Sequence, residues 1–152
     1  VEIEDDNLLK CFHNGINVIQ NDLEAGLSSF ESDSFDYVIL SQTLQAMRHT
    51  EGIIQEMLRV GKEGIVSFPN FGYWKNRMQV IAGHMPVSET LPYSWYDTPN
   101  IHLCTLGDFE ALCQQCNARI LERRVMSAHN HPVNFLPNLM GILAFYRFER
   151  RT

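Results

Sequence analysis

The sequence predicts an α/β layer fold built on one mostly parallel sheet. Three observations carry this expectation. Strand-like apolar runs at 35–40 (FDYVIL) and 64–68 (GIVSF) alternate with amphipathic helical stretches at 50–60 and 105–116. The run at 35–40 is almost continuously apolar, as a strand buried on both faces should be. The last two strand-like runs, 119–126 and 142–149, are joined by a connection short enough for an antiparallel pair.

Residues 1–4 read as the tail of a strand. Asp5 or Asp6 can cap a helix that runs through Cys11 and Phe12, with Leu8, Leu9 and Phe12 at helical spacing. Gly15 suits the left-handed stop behind it. Residues 16–20 (INVIQ) form a short β-rich run, and the polar stretch 21–34, with Gly26 and four serines, reads as a loop. In 50–60, Ile53, Ile54, Met57 and Leu58 share one stripe, and Gly61 ends the helix. Pro69 closes the strand at 64–68, and 72–82 reads as a helix. Residues 84–104 hold three prolines and no period, too long for a mere connection, which predicts a lid or binding loop. Thr105 and Asp108 form a capping box for a helix through Cys116, with Phe109, Leu112, Cys113 and Cys116 turned inward.

A chain of 152 residues is one domain's worth, and folding can bury about two-thirds of its surface. Hydrophobic residues at 45% and charged residues at 20% exclude disorder, collagen and coiled coil. No stretch is long and apolar enough for a membrane span. The net charge of −6 argues against nonspecific nucleic-acid or anionic-lipid binding. Residues 1–36 hold nine acids and one base, and residues 117–152 hold six arginines and two glutamates. Solvated faces with long-range attraction between the ends are expected. Four scattered cysteines do not make a disulfide framework, so a reducing cytoplasm is the simplest setting. The chain opens on Val1 rather than Met, without a signal segment, which suggests a fragment or a renumbered chain.

Ligands of such sheets sit beyond the carboxyl ends of the strands, so the residues there carry most weight. Glu2 sits at the carboxyl end of the first strand, and a carboxylate there can accept both hydroxyl hydrogens of a ribose. Asp22 follows the second and can accept from an adenine amine, or cap a turn. Ser41 and Gln42 follow the third, and Asn70 the fourth. The glycine-rich phosphate or cofactor turn, GxGxxG or GxGxG, is absent from these residues. Loop 84–104 carries Tyr93, Trp95, Tyr96, Asp97, Asn100 and His102, a set suited to a small-molecule pocket or a protein contact. Trp95 and Tyr96 can equally anchor that loop on the core. His102 is a candidate base or a structural histidine. Cys113 and Cys116 read as core cysteines, His129 and His131 as part of an exposed turn, and no metal site is expected.

The runs DSFDYVILSQTLQAM (33–47) and EMLRVGKEGIVSFPN (56–70) resemble the middle of class I S-adenosylmethionine-dependent methyltransferases. LPYSWYDTPNIHLCTLGDFEALC (91–113) is more specific and resembles the MetW family of methionine biosynthesis, as do the opening VEIE and GINVIQNDLEAGL (15–27). A nicotinamide-binding domain is the alternative fold, to which FDYVILSQTLQ is less similar. The resemblance implies a Rossmann-like class I methyltransferase sheet, mostly parallel with an antiparallel C-terminal strand, lacking its first βα unit in this chain. It implies one methyltransferase-like domain over 1–152, partial at its N-terminus, with a further βα unit of about 30 residues or more upstream. S-adenosylmethionine is the implied cofactor: Glu2 would hold its ribose, Asp22 and the backbone of Leu23 its adenine, and Ser41 and Gln42 would lie near its methionine end. Tyr93, Trp95, Tyr96, Asp97 and His102 would form a substrate or partner loop. The implied activity is methyl transfer to a small metabolite, or sensing of S-adenosylmethionine. The alternative is a non-catalytic accessory role beside homoserine O-acyltransferase.

Overall fold

The computed structural model describes residues 1–151. Its sheet has four strands, β1 (Phe35–Ser41), β2 (Gly61–Pro69), β3 (Ala118–Met126) and β4 (Leu143–Arg150), in the order β1-β2-β4-β3. β1 and β2 are parallel, and β4 is antiparallel to both of its neighbours. The C-terminal strand is thus the one reversed member of a mostly parallel sheet, as expected. It lies inside the sheet rather than at its edge, inserted between β2 and β3.

The helices are α1 (Asp5–His13), α2 (Thr50–Val60), α3 (Trp74–Ile81), α4 (Leu106–Gln115) and the single turn α5 (Pro137–Met140). The apolar stripe of α2 buries Ile53, Ile54, Met57 and Leu58. α4 buries Leu106, Phe109 and Cys113. Both meet the sheet face made by Leu40, Val66, Phe68, Tyr146 and Phe148. Phe109 is the knot of this layer, with ring centroids 5.0 Å from Phe68, 4.7 Å from Tyr146 and 6.1 Å from Phe148. The predicted capping box is present: Asp108 N–H donates to Thr105 Oγ1 at 3.4 Å, and Thr105 N–H donates to Asp108 Oδ2 at 2.9 Å.

Three local expectations are corrected. β1 is buried on one face only: Val38 and Leu40 turn toward the helices, while Tyr37 and Ile39 are exposed. The sheet ends at β1, so this strand has an edge and an open face although its sequence is continuously apolar. The strands expected at 1–4 and 16–20 reduce to one parallel bridge between Glu2 and Gln20, apart from the main sheet. α1 has Glu4 at its N-cap with no side-chain cap, and Asp5 and Asp6 lie in its first turn. Their charges still favour the positive end of the helix dipole.

Gly61 joins α2 to β2 without a left-handed turn. Its need is space, because a Cβ there would lie 2.6 Å from Val38 Cγ2. The charge asymmetry of the sequence is also resolved locally. Arg123, Arg124 and Arg147 pair with Glu110, Glu122 and Glu63, not with the acidic N-terminal third. No helix among the described residues is long and apolar enough to cross a membrane.

Candidate functional site

The carboxyl rim of the strands is assembled by three short connections. The Glu2–Gln20 bridge sets Glu2 beside Asn21, whose N–H donates to the Glu2 carbonyl at 3.1 Å. Glu2 Oε1 accepts from the backbone N–H groups of Ile3 at 2.8 Å and Glu4 at 3.0 Å, and Oε2 takes a long contact of 3.4 Å from Asn7. The N–H groups of Glu4 and Ile3 hold this carboxyl below the usual glutamate range. Asp22 caps a 3-10 turn, Leu23–Ala25, by accepting from Glu24 N–H at 2.9 Å through Oδ1. Leu23 packs against the core.

Ser41 closes β1 and its Oγ lies 3.2 Å from Ser67 Oγ. Gln42 follows in the left-handed region at φ 49°, with its N–H donating to Ser67 O at 2.9 Å. That sharp reversal lifts the chain off the sheet after β1. Glu24, absent from the sequence expectations, ties the turn after Asp22 to the segment between β1 and α2. Its carboxylate accepts from Arg48 N–H and lies 3.2 Å from His49 Nδ1. The Arg48 N–H, then His49, keep the Glu24 carboxyl below its ordinary value. No local motif marks such a contact, since its partners are separated by 24 and 25 residues.

The acceptor capacity of the rim fits a nucleoside. A carboxylate offers about four lone-pair positions. Among the described residues Asp22 Oδ2 has no partner and Glu2 Oε2 has only the long Asn7 contact. By contrast, Asn70 is fully buried and committed to structure. Its Nδ2 donates to the Asn138 and Gly141 carbonyls at 3.0 and 2.9 Å, and its Oδ1 accepts from Gly72 N–H at 3.0 Å.

Beside the rim a crevice of about 620 Å³ opens between the turn after β1, the first turns of α2 and α4, and the segment around His102. Gln45 holds this wall together. Its carbonyl accepts from Ile101 and His102 N–H at 2.8 and 2.9 Å, and its Nε2 donates to Gln42 O at 2.7 Å. His102 Nε2 lies 3.5 Å from Arg48 O.

The aromatic loop does not converge with His102. Tyr93 and Trp95 line a separate hollow of about 130 Å³ with Phe71 and Leu91. Trp95 and Tyr96 are 72% and 75% exposed and contact each other edge to face at 5.6 Å. They do not anchor the loop on the core; Leu91 is buried within the loop's own hollow. Asp97 is exposed. Cys113 is buried on α4 and Cys116 at its C-cap; burial pushes the Cys113 thiol up to about 12, so it is inert at neutral pH. Among the described residues no three His, Cys, Asp or Glu gather as a metal site.

Comparison with known proteins gives the family and the fold of the chain. The profile of the family described as Methionine biosynthesis protein MetW matches residues 1–148. A bifunctional methionine biosynthesis protein MetXA/MetW from Rhodopirellula baltica is 42% identical over 159 residues. The match takes in 99% of this chain and 25% of that protein, so the chain spans about a quarter of its relative's length. An S-adenosylmethionine-dependent methyltransferase from Thermotoga maritima superposes with a TM-score of 0.67 at 15% identity, over 99% of this chain and 71% of its own. A methyltransferase of the same class from Archaeoglobus fulgidus gives a TM-score of 0.67 at 11% identity, over 98% and 74%. At these identities the two structures establish the methyltransferase fold alone.

Proposed function

The chain belongs to the methionine biosynthesis protein MetW family, and from that premise we propose that it binds S-adenosylmethionine in the cytoplasm, either to methylate a small metabolite or to sense the cofactor. The observation that supports this reading is the joined rim of Glu2, Asp22 and Ser41–Gln42 with acceptor positions left open. Glu2 would receive the ribose hydroxyls, and Asp22 the adenine amine with the Leu23 backbone beside the ring. Ser41 and Gln42 would lie at the methionine end. The bound cofactor supplies an electrophilic methyl group on its sulfonium. What these residues contribute is alignment, the main requirement when the acceptor is itself a good nucleophile. His102 is the candidate group for taking a proton from a poorer one.

Calorimetric titration of S-adenosylmethionine into the full-length protein tests the reading. Binding is expected, and Asp22→Ala is expected to weaken it about tenfold. An absence of binding to the wild-type protein would remove the cofactor role.

A second reading has its own support. The Rhodopirellula relative joins MetXA and MetW in one bifunctional protein, and Trp95 and Tyr96 are exposed. The chain would then be an accessory partner of homoserine O-acyltransferase, with the aromatic loop as contact surface. Co-sedimentation with that acyltransferase, repeated with Trp95→Ala, distinguishes the two. No complex, together with methyl transfer to a pathway metabolite, would exclude the accessory role.

A further inference from the structure

One buried hydroxyl lies beside the proposed methionine end of the cofactor. Ser67 sits on β2, opposite Ser41 in the parallel register of β1 and β2. Its side chain is polar and the residue only 4% exposed, whereas Ser41 is exposed on the rim. The two hydroxyl oxygens are 3.2 Å apart, and Ser67 Oγ also accepts from Gln42 N–H at 3.2 Å. The same N–H donates to the Ser67 carbonyl at 2.9 Å. The Gln42 carbonyl accepts from Gln45 Nε2 at 2.7 Å. Gln42 is thereby held in the left-handed region at φ 49°. A residue other than glycine persists there only where its neighbours over-determine it. The chain just after Ser41 is therefore fixed.

Hydrogen-bond accounting sets the direction of the serine pair. A hydroxyl has one hydrogen to give and two lone pairs. Ser67 Oγ spends a lone pair on the Gln42 N–H, and its buried hydrogen needs an acceptor. Among the described residues that acceptor is Ser41 Oγ. The reverse arrangement, with Ser41 donating, would strand the Ser67 hydrogen in the interior. Ser67 therefore donates to Ser41. Ser41 is left with a free O–H on an exposed residue. The methionine end of S-adenosylmethionine carries a carboxylate and an ammonium. A free O–H suits the carboxylate, because the ammonium has no lone pair to receive it. We propose that Ser67 is a positioning residue of the cofactor site: it donates to Ser41 Oγ and so fixes Ser41 as a hydrogen-bond donor to the methionine carboxylate. This rests on the cofactor reading above and adds to it a direction and a partner. Ser67 is buried and acts through Ser41.

The test is calorimetry on the full-length protein with two probes. One is S-adenosylmethionine; the other is decarboxylated S-adenosylmethionine, which keeps the ammonium and the sulfonium but lacks the carboxylate. Ser41→Ala is expected to weaken S-adenosylmethionine about tenfold and the decarboxylated probe less than about twofold. Ser67→Ala is expected to weaken S-adenosylmethionine about threefold. In a protein that already carries Ser41→Ala it should add nothing. A merely structural role would add its loss in either background and to both probes. The Gln42 N–H keeps the Ser67 carbonyl as acceptor, so Ser67→Ala should fold. Where urea denaturation shows otherwise, Ser67→Cys, a much weaker donor of similar size, replaces it. The proposal is overturned if Ser67→Ala binds S-adenosylmethionine as the wild-type protein does, if the two losses add, or if Ser41→Ala weakens both probes alike. Failure of the wild-type protein to bind S-adenosylmethionine would refute the cofactor reading and this proposal together. Binding by the wild-type protein with any of the three results above would overturn this proposal alone.

Discussion

Glu56 shows how one carboxylate can organise a loop. It accepts from Arg59 through both oxygens, at 2.7 and 2.8 Å, and from Leu27 N–H at 3.0 Å. Arg59 in turn donates to the carbonyls of Leu27 at 2.9 Å and Phe30 at 3.0 Å. One i,i+3 pair on α2 thereby fixes the polar stretch that leads into β1. The Arg59 hydrogen bonds, then the Leu27 N–H, lower the Glu56 carboxyl below its ordinary value of 4.5. A carboxyl with a lowered folded-state pKa adds stability above its unfolded value, and that stability is lost as pH falls through the folded value. Urea midpoints of the wild-type protein and Glu56→Gln should therefore differ most near neutrality and converge on acidification. A gap independent of pH would mean that shape, not charge, holds this loop. Neither partner's role is legible in sequence, because an acid three residues before an arginine on a helix is ordinary surface patterning.

Elements were legible where local chemistry sets them. The stripe of α2 and the Thr105–Asp108 box each predict a helix that the structure places within a residue of the expected ends. The reversal of β4 was legible from a short connection, but its insertion between β2 and β3 was not. Just before β4, at Gly141, the chain passes hard against β3. A Cβ at Gly141 would lie 2.0 Å from Val125 Cγ1 and 2.9 Å from the Pro137 carbonyl. Gly141→Ala is expected to destabilise by about 3 kcal/mol, the upper part of the range for overpacking. Adding Val125→Ala should restore part of that loss, because the closest atom is then gone. Thermal denaturation of the two single variants and the double variant measures this coupling; strict additivity would show that the strain lies in the backbone. The positions of the candidate site residues were legible in a similar way. Acids after strands could be named from position, but Glu24 and Gln45, which bind the rim together, act across turns that no period marks.

At the scale of the whole molecule, the open side of the sheet is the dominant physical fact. β1 is the last strand in the order β1-β2-β4-β3, so its outer backbone groups face away from any ladder partner. The uncovered face is apolar at this edge: Tyr37 and Ile39 are 55% and 67% exposed, with the Glu63–Arg147 pair and Phe145 further into the sheet on the same face. A strand that reads as doubly buried is therefore half exposed among the described residues. An apolar edge strand of this kind is a template for pairing with another chain. A polypeptide of residues 1–152 is therefore expected to self-associate, with a sedimentation coefficient that rises with concentration. Tyr37→Lys combined with Ile39→Lys places like charges on that face and should restore a concentration-independent monomer, because charged edges oppose strand pairing. Both positions point away from α2 and α4, so the double variant should retain the far-ultraviolet circular dichroism of the parent. If the parent stays monomeric at every concentration, the edge is not a pairing surface. If the double variant associates as strongly as the parent, the contact lies elsewhere, and the exposed Trp95–Tyr96 pair becomes the next surface to change.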